Sequence, residues 1–244
     1  MDDRITDPDA PVRPVTENKV ISLRPVNPVE GVDYDYESVM RKQREAWVRS
    51  QVFLDPKYSV IHDPLDPRLY APNKKIKDVK DLTVIELAKT LAGLHIIEGG
   101  VGLAAPQIGL NLRMFAMSIQ NNRVAVLMNP RIVGWGKYRE DDPEAVEWME
   151  ERCLSHPGVS IEVARLKAVE IIAQTITSPK PTKYLFEGFP ARVVQHEIAH
   201  LEGKLITDLP ETVSRNRKVD AEGQLKLQEE NRKASEFGRP EPEG

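Results

Sequence analysis

Two stretches of the chain repeat their apolar positions with a helical period, and a series of short β-type runs separates them. Leu87, Leu91, Leu94 and Ile97 fall three or four residues apart and so share one face of a helix. Thr83, with Glu86 three positions later, has the spacing of a capping box that would start this helix, and Gly99 and Gly100 would stop it. A second helix is predicted over residues 190–202. It has proline in its first turn, where a fixed φ is already helical, and Gly203 just past its end. Between the two, residues 114–119, 124–129, 159–163, 168–176 and 184–186 are β-branched or apolar runs bounded by polar turns, and they read as strands.

The flanks have a different pattern. Residues 1–31 are rich in Pro, Asp, Val and Asn without any period, so they bury too little apolar surface to offset chain entropy, and a loosely draped arm is expected. Residues 36–53 place Val39, Met40, Trp47 and Val48 at near-helical spacing, which predicts a short helix docked on the main body. Prolines at 56, 64, 67 and 72 make residues 55–75 a turn-rich entry. After Pro210 the chain is mainly charged through Arg215, Lys218, Glu229, Arg232 and Glu236, which suggests a frayed helix before a Pro/Gly/Glu tail. The expected organisation is an extension over 1–54, one catalytic domain over 55–210 and a charged tail over 211–244, with no internal repeat.

Composition narrows the class. With 244 residues there is enough chain for one domain that needs no disulfide staples. A net charge of -4 gives no bias toward nucleic acid or an anionic membrane, and sequence-specific nucleic-acid binding is not expected. No apolar run approaches the roughly 20 residues of a membrane span, and the N-terminus has neither a secretory nor a transit pattern, so a cytoplasmic protein is expected. The one cysteine, Cys153, excludes an intrachain disulfide. It is either a small buried hydrophobe or a thiol with chemistry.

The sharpest chemical signal is His196-Glu197-Ile198-Ala199-His200. On a helix the two imidazoles, four residues apart, reach one ion while Glu197 stands beside its open position. A catalytic divalent ion takes three protein ligands and a water, so a third ligand is needed. Cys153 is one candidate and Glu202 a competing one, although Glu202 lies off the shared face. The segment GVGLAAPQ at 100–107 has two glycines after a helix but no Lys-Ser/Thr, which argues against a phosphate loop. Its small residues let backbone approach a ligand closely, and Gln107 offers an uncharged donor to a developing oxyanion.

GVGLAAPQ at 100–107, ERCLS at 151–155 and QHEIAH at 195–200 occur in the order of three motifs of the peptide deformylase family, which read GxGLAAxQ, EGCLS and QHExxH. The chain resembles that family over residues 63–209. The resemblance implies an α+β fold in which antiparallel strands surround the helix carrying His196 and His200, with an earlier helix leading into the glycine-rich segment. It implies hydrolysis of the N-formyl group from the initiator methionine of nascent polypeptides, with release of formate. Cys153, His196 and His200 would hold one divalent ion, ferrous iron in cells, with zinc, nickel or cobalt as alternatives. Water activated by that ion would attack the formyl carbon, Glu197 would act as general acid and base, and Gln107 with the Leu154 backbone N–H would stabilise the oxyanion. By position, the methionine pocket falls on Val101, Met149, Phe189 and Val193. Val101 and Gly102 would pair with the peptide backbone, and Glu151 joins the substrate-binding set. The partners implied are N-formylmethionyl peptides and the ribosome, not a membrane.

The chain departs from the family pattern at three places. Arg152 replaces the glycine of the second motif, with either a substrate-altering or a solvent-facing role, and Ala199 replaces an aspartate, at the expense of a hydrogen bond behind the metal ligands. Ser160 stands where many relatives carry a larger polar or basic side chain. His156, followed by proline in a turn, is not expected to bind metal. His62 and His95 read as structural or exposed, and Arg165 as one half of a structural ion pair. Two other functions compete with deformylation: a general endopeptidase, suggested by the helix motif alone, and a catalytically silent binding protein, suggested by Arg152 and the extensions.

Overall fold

The computed structural model describes residues 41–42, 44–46, 48–49, 54–119, 123–139 and 142–219. Helix α1 (Leu82–Glu98) opens on Asp81, whose carboxylate accepts from the N–H groups of Thr83 and Val84. Thr83 therefore lies inside the helix, because an aspartate two residues earlier takes the free amides first. Gly99 ends the helix at φ 71°, a left-handed position that glycine adopts without a Cβ clash.

Five strands, β1 (Gly102–Ala104), β2 (Met114–Ile119), β3 (Arg123–Gly134), β6 (Ala168–Gln174) and β7 (Thr182–Glu187), form one antiparallel sheet in the order β1-β2-β3-β6-β7. A second antiparallel sheet has the order β4-β5-β8, from β4 (Val146–Cys153), β5 (His156–Leu166) and β8 (Ser214–Val219). Helix α2 (Phe189–Leu201) contributes Ala191, Val193, Val194, Ile198 and Leu201 to the core of the five-stranded sheet. α1 packs through Leu91 and Leu94 with Leu103, Met114 and Met128. The α+β architecture expected from the resemblance is the one found.

Three strands were not legible. β1 is only three residues long, Gly102-Leu103-Ala104, too short to show a period of two. β4 carries Glu147, Glu150, Glu151 and Arg152, whose charges hide its period of two. β8 reads Ser-Arg-Asn-Arg-Lys-Val, a polar edge strand, and it lies in the segment that composition assigned to a charged, helix-like tail. Pairing with β5 overrides that local preference, while residues 220–244 lie outside the described residues.

β3 runs through Asn129 and Pro130 to Gly134, with an irregularity in its pairing at this point. Asn129, at φ 52°, turns its side chain to Ile76 N and O at 2.8 and 2.9 Å and to Gln174 Oε1 at 2.8 Å, which compensates for the broken ladder. In the N-terminal segment the described residues between 41 and 49 are helical, and Val48, 1% exposed, packs with Leu54 and Ile97. Val39, Met40 and Trp47 lie outside the described residues.

Candidate metal centre

Gly188, at φ 62°, and Pro190 turn the chain out of β7 into α2. Gln195 then ties the helix to the end of β5: Leu166 N donates to its Oε1 at 3.0 Å, and its Nε2 donates to Leu166 O at 2.9 Å. One turn on, His196 and His200 place their Nε2 atoms 3.2 Å apart. Cys153 ends β4 at the tight connection to β5, and its Sγ lies 3.4 Å from His200 Nε2. The ligand atoms of Cys153, His196 and His200 all lie within 4.8 Å of one another. A tetrahedral ion at ordinary metal–nitrogen and metal–sulfur distances would separate such atoms by roughly 3.3–3.6 Å, so the three side chains fit one divalent ion. Glu202 is the C-cap of α2, exposed and outside this cluster.

A network behind the ligands fixes His196. Its Nδ1 lies 3.0 Å from Glu151 Oε2, so with Nδ1–H donating to the carboxylate, Nε2 presents its lone pair to the other two ligands. Arg165 donates to both Glu151 oxygens, at 3.0 and 2.9 Å, and Arg192 Nη1 donates to Oε1 at 2.7 Å. Burial opposes ionisation of Glu151, yet the hydrogen bond from His196 and the guanidinium of Arg165 hold its carboxyl well below the usual range. Glu151 borders the cavity, but its oxygens are committed to these three partners rather than to a substrate. Arg165 forms the ion pair expected of it. Arg192 was missed, although a charged residue one turn before His196, among apolar neighbours on an inward helix face, was the available signal.

Glu197 is 3% exposed and has the opposite surroundings. Burial raises its carboxyl to about 7, and among the described residues its Oε2 has no hydrogen-bond partner. A Cβ on Gly102 would come within 2.7 Å of Glu197 Cδ, so only glycine leaves room for this carboxylate. Burial opposes charge on His196, but hydrogen bonds with Cys153 and Glu151 raise it to about 10. Burial and the neighbouring His196 drive His200 well below its ordinary value. A cation bound among these groups would displace the proton held on His196.

Gln107 lies in a 3₁₀ turn (Ala105–Ile108). Its Oε1 accepts from Ala104 N at 2.8 Å, and Nε2 donates to Ser155 Oγ at 3.2 Å and toward Cys153 Sγ at 3.6 Å. The Leu154 carbonyl lies 2.8 Å from His62 Nδ1, which ties the ligand turn to the entry segment. A cavity of about 580 Å³ opens over the cluster, lined in part by Val101, Gly102, Gln107, Leu154, Phe189 and Val193. Met149 is not among its lining residues. It sits four residues before Cys153, about 13 Å along the strand, and is 37% exposed. His156 is buried in the cavity wall but outside the ligand cluster, and His95 is buried against Ser118 at 2.9 Å. Arg152 is 71% exposed and 4.0 Å from Glu150, with buried Ser160 as its cross-strand partner, and it also lines the cavity, so exposure and proximity to the site go together here.

The sequence model of the polypeptide deformylase family matches residues 58–216. The chain belongs to the peptide deformylase family. It is 38% identical over 149 residues to a peptide deformylase of Thermotoga petrophila, covering 61% of this chain and 83% of that one. It is 39% identical over 143 residues to the enzyme of Dictyoglomus thermophilum, covering 59% and 86%. The crystal structure of a plant peptide deformylase matches with a TM-score of 0.60 at 29% identity, covering 80% of this chain and 100% of the other. That of the Thermotoga maritima enzyme matches with a TM-score of 0.55 at 33% identity, covering 62% and 95%. The family consists of metal-dependent hydrolases that remove the N-formyl group from nascent peptides, and Cys153, His196 and His200 are placed to hold such a metal. Among the described residues, no helix is long and apolar enough to cross a membrane.

Proposed function

We propose that this chain deformylates the initiator methionine of nascent polypeptides in the cytoplasm, with one divalent ion on Cys153, His196 and His200 and ferrous iron as the ion used in cells. When bound, that ion would polarise the formyl carbonyl and lower the pKa of a water beside it. Glu197 takes that water's proton and passes it to the leaving amine, a role suited to a buried carboxyl whose affinity for protons lies near neutrality. Gln107 Nε2 and the Leu154 backbone N–H stabilise the charge that develops on the formyl oxygen. Val101 and Gly102 align the peptide backbone, and Val101, Phe189 and Val193 receive the methionine side chain in an apolar recess. Glu151, Arg165 and Arg192 hold His196 in the tautomer that ligation needs.

The observation that carries this reading is the unpartnered Oε2 of Glu197, buried next to three convergent ligand atoms. The test is formate release from formyl-Met-Ala-Ser by protein loaded anaerobically with ferrous iron, beside a chelator-treated sample and an unformylated peptide of the same sequence. Formate should appear only with the loaded protein, and the unformylated peptide should stay intact. Cleavage of internal bonds would turn the reading toward an endopeptidase. A metal-loaded, folded protein that releases no formate would turn it toward a binding protein.

A further inference from the structure

Residues 99, 100 and 102 are glycines in the wall of the cavity, so this stretch has almost no side chains of its own to hold it in place. Each glycine instead has one outside side chain pressed against its bare Cα. A Cβ on Gly102 would collide with Glu197, and one on Gly100 would lie 3.2 Å from Leu154 Cδ1. At Gly99 the three nearest atoms to such a Cβ all belong to the guanidinium of Arg44, the first at 3.0 Å. Two of the three clamps come from the catalytic site. The third comes from the N-terminal segment, which lies outside residues 58–216 matched by the family.

Arg44 is held firmly where it acts. Its Nε donates to Ile97 O at 3.1 Å, one of the carbonyls that the last turn of α1 leaves without a helical partner. A cation at this end also suits the helix dipole. Arg41, on the same segment, pairs with Glu98 at 2.6 Å, and Val48 seats against Leu54, Ile97 and the bare face of Gly93. Gly102 onward is fixed by pairing of β1 with β2, and Val101 O accepts from Ser118 N at 3.0 Å. Gly99 is tied to the helix only through its N–H, which donates to His95 O at 3.1 Å, so the link between helix and sheet is Gly99 and Gly100, and Arg44 packs against it at Gly99.

We infer that Arg44 is a positioning residue for substrate binding: through Ile97 and Gly99 it sets the glycine wall along which the peptide lies, making the N-terminal segment a working part of the site. The kinetic side of this inference rests on the deformylase reading, while its structural side does not. Replacing Arg44 by alanine should raise KM for formyl-Met-Ala-Ser by about three- to ten-fold, less than the whole loss of a charge-assisted hydrogen bond because the effect reaches the peptide only through Gly99. kcat should hold within about two-fold, because the ligands and Glu197 are placed by other elements. Arg44→Lys keeps the cation without the planar fork and should recover part of the loss. Arg41→Ala, which removes a half-exposed ion pair from the same segment without touching Gly99, should leave KM unchanged.

Amide hydrogen exchange over residues 98–102 supplies a readout that needs no turnover. It should quicken in Arg44→Ala, with protection of β6 unaltered. Unchanged KM and unchanged exchange in Arg44→Ala would overturn the inference. Equal effects of Arg41→Ala and Arg44→Ala would do so too, since docking in general would then suffice. If the parent protein releases no formate, the function reading falls, and exchange alone decides the role of Arg44.

Discussion

Glu151 and Glu197 both line one cavity with nearly equal exposure, 7% and 3%, and their surroundings drive them in opposite directions. On β4, Glu151 meets Arg165, Arg192 and His196, so both of its oxygens are taken by donors and the carboxylate stays charged. On the α2 and β1 side, Glu197 meets the backbone of Gly102 and an open space, and burial holds its proton to about pH 7. Burial alone therefore does not decide the role of a carboxylate; the donors aimed at it do. One carboxylate is held charged, whereas the other keeps its proton to about pH 7.

The strongest way to break this contrast is Glu197→Gln, which keeps the shape and removes the titrating group. Formate release should fall by about 10²–10⁴-fold with metal content and thermal midpoint near those of the parent. A loss of metal or fold of the same size would put Glu197 on the structural side of the comparison. Next in size, Glu151→Gln leaves two buried guanidiniums and His196 without their anion. It should cost about 3–5 kcal/mol of stability, read by urea unfolding of metal-stripped protein, and weaken metal binding about 10–100-fold. Full stability in that variant would mean the network is not needed for the fold.

His95 sharpens the contrast as a buried group that serves neither side. Burial lowers its pKa to about 4. The unfolded chain, with an ordinary histidine near 6.5, then binds more protons than the native state between those two values, so stability falls as pH drops from about 6.5 to 4 and is flat above. The full drop is about 3 kcal/mol. His95→Asn should remove that much of the pH dependence, measured as the difference between urea midpoints at pH 4.5 and 7.5. Equal slopes in parent and variant would exclude His95 as the source. The smallest effect is expected from Gly102→Ala, whose Cβ displaces the Glu197 carboxylate. It should slow turnover about 10²-fold at unchanged metal occupancy, and normal turnover would show that Glu197 has room to move.

Much of the site could be read in the sequence because its chemistry is carried by local spacing. The interval from His196 to His200 is one helical turn, and Gly203 and Pro190 mark the ends of the helix that makes the interval meaningful. α1 was found from its apolar face, though its cap was placed two residues late at Thr83 because Asp81 falls outside the capping-box spacing. What escaped was set by partners far away in the chain. β8 is polar and becomes a strand only beside β5. Glu151 reads as one more acidic residue of β4 until Arg165 and Arg192 close on it, and Met149 shares the motif region without reaching the cavity.

The amino-acid sequence by itself determined which ligand types exist, that two of them lie on one face of one helix, and that glycines flank the site, because these follow from composition and short-range geometry. Only the tertiary structure decided that Cys153 rather than Glu202 lies beside His196 and His200, that one buried glutamate is saturated with donors while the other keeps, among the described residues, a bare oxygen, and that Arg44 reaches Gly99. Each of these depends on distance between residues remote in the chain, and hydrogen bonding and charge act through that distance rather than through order along the backbone.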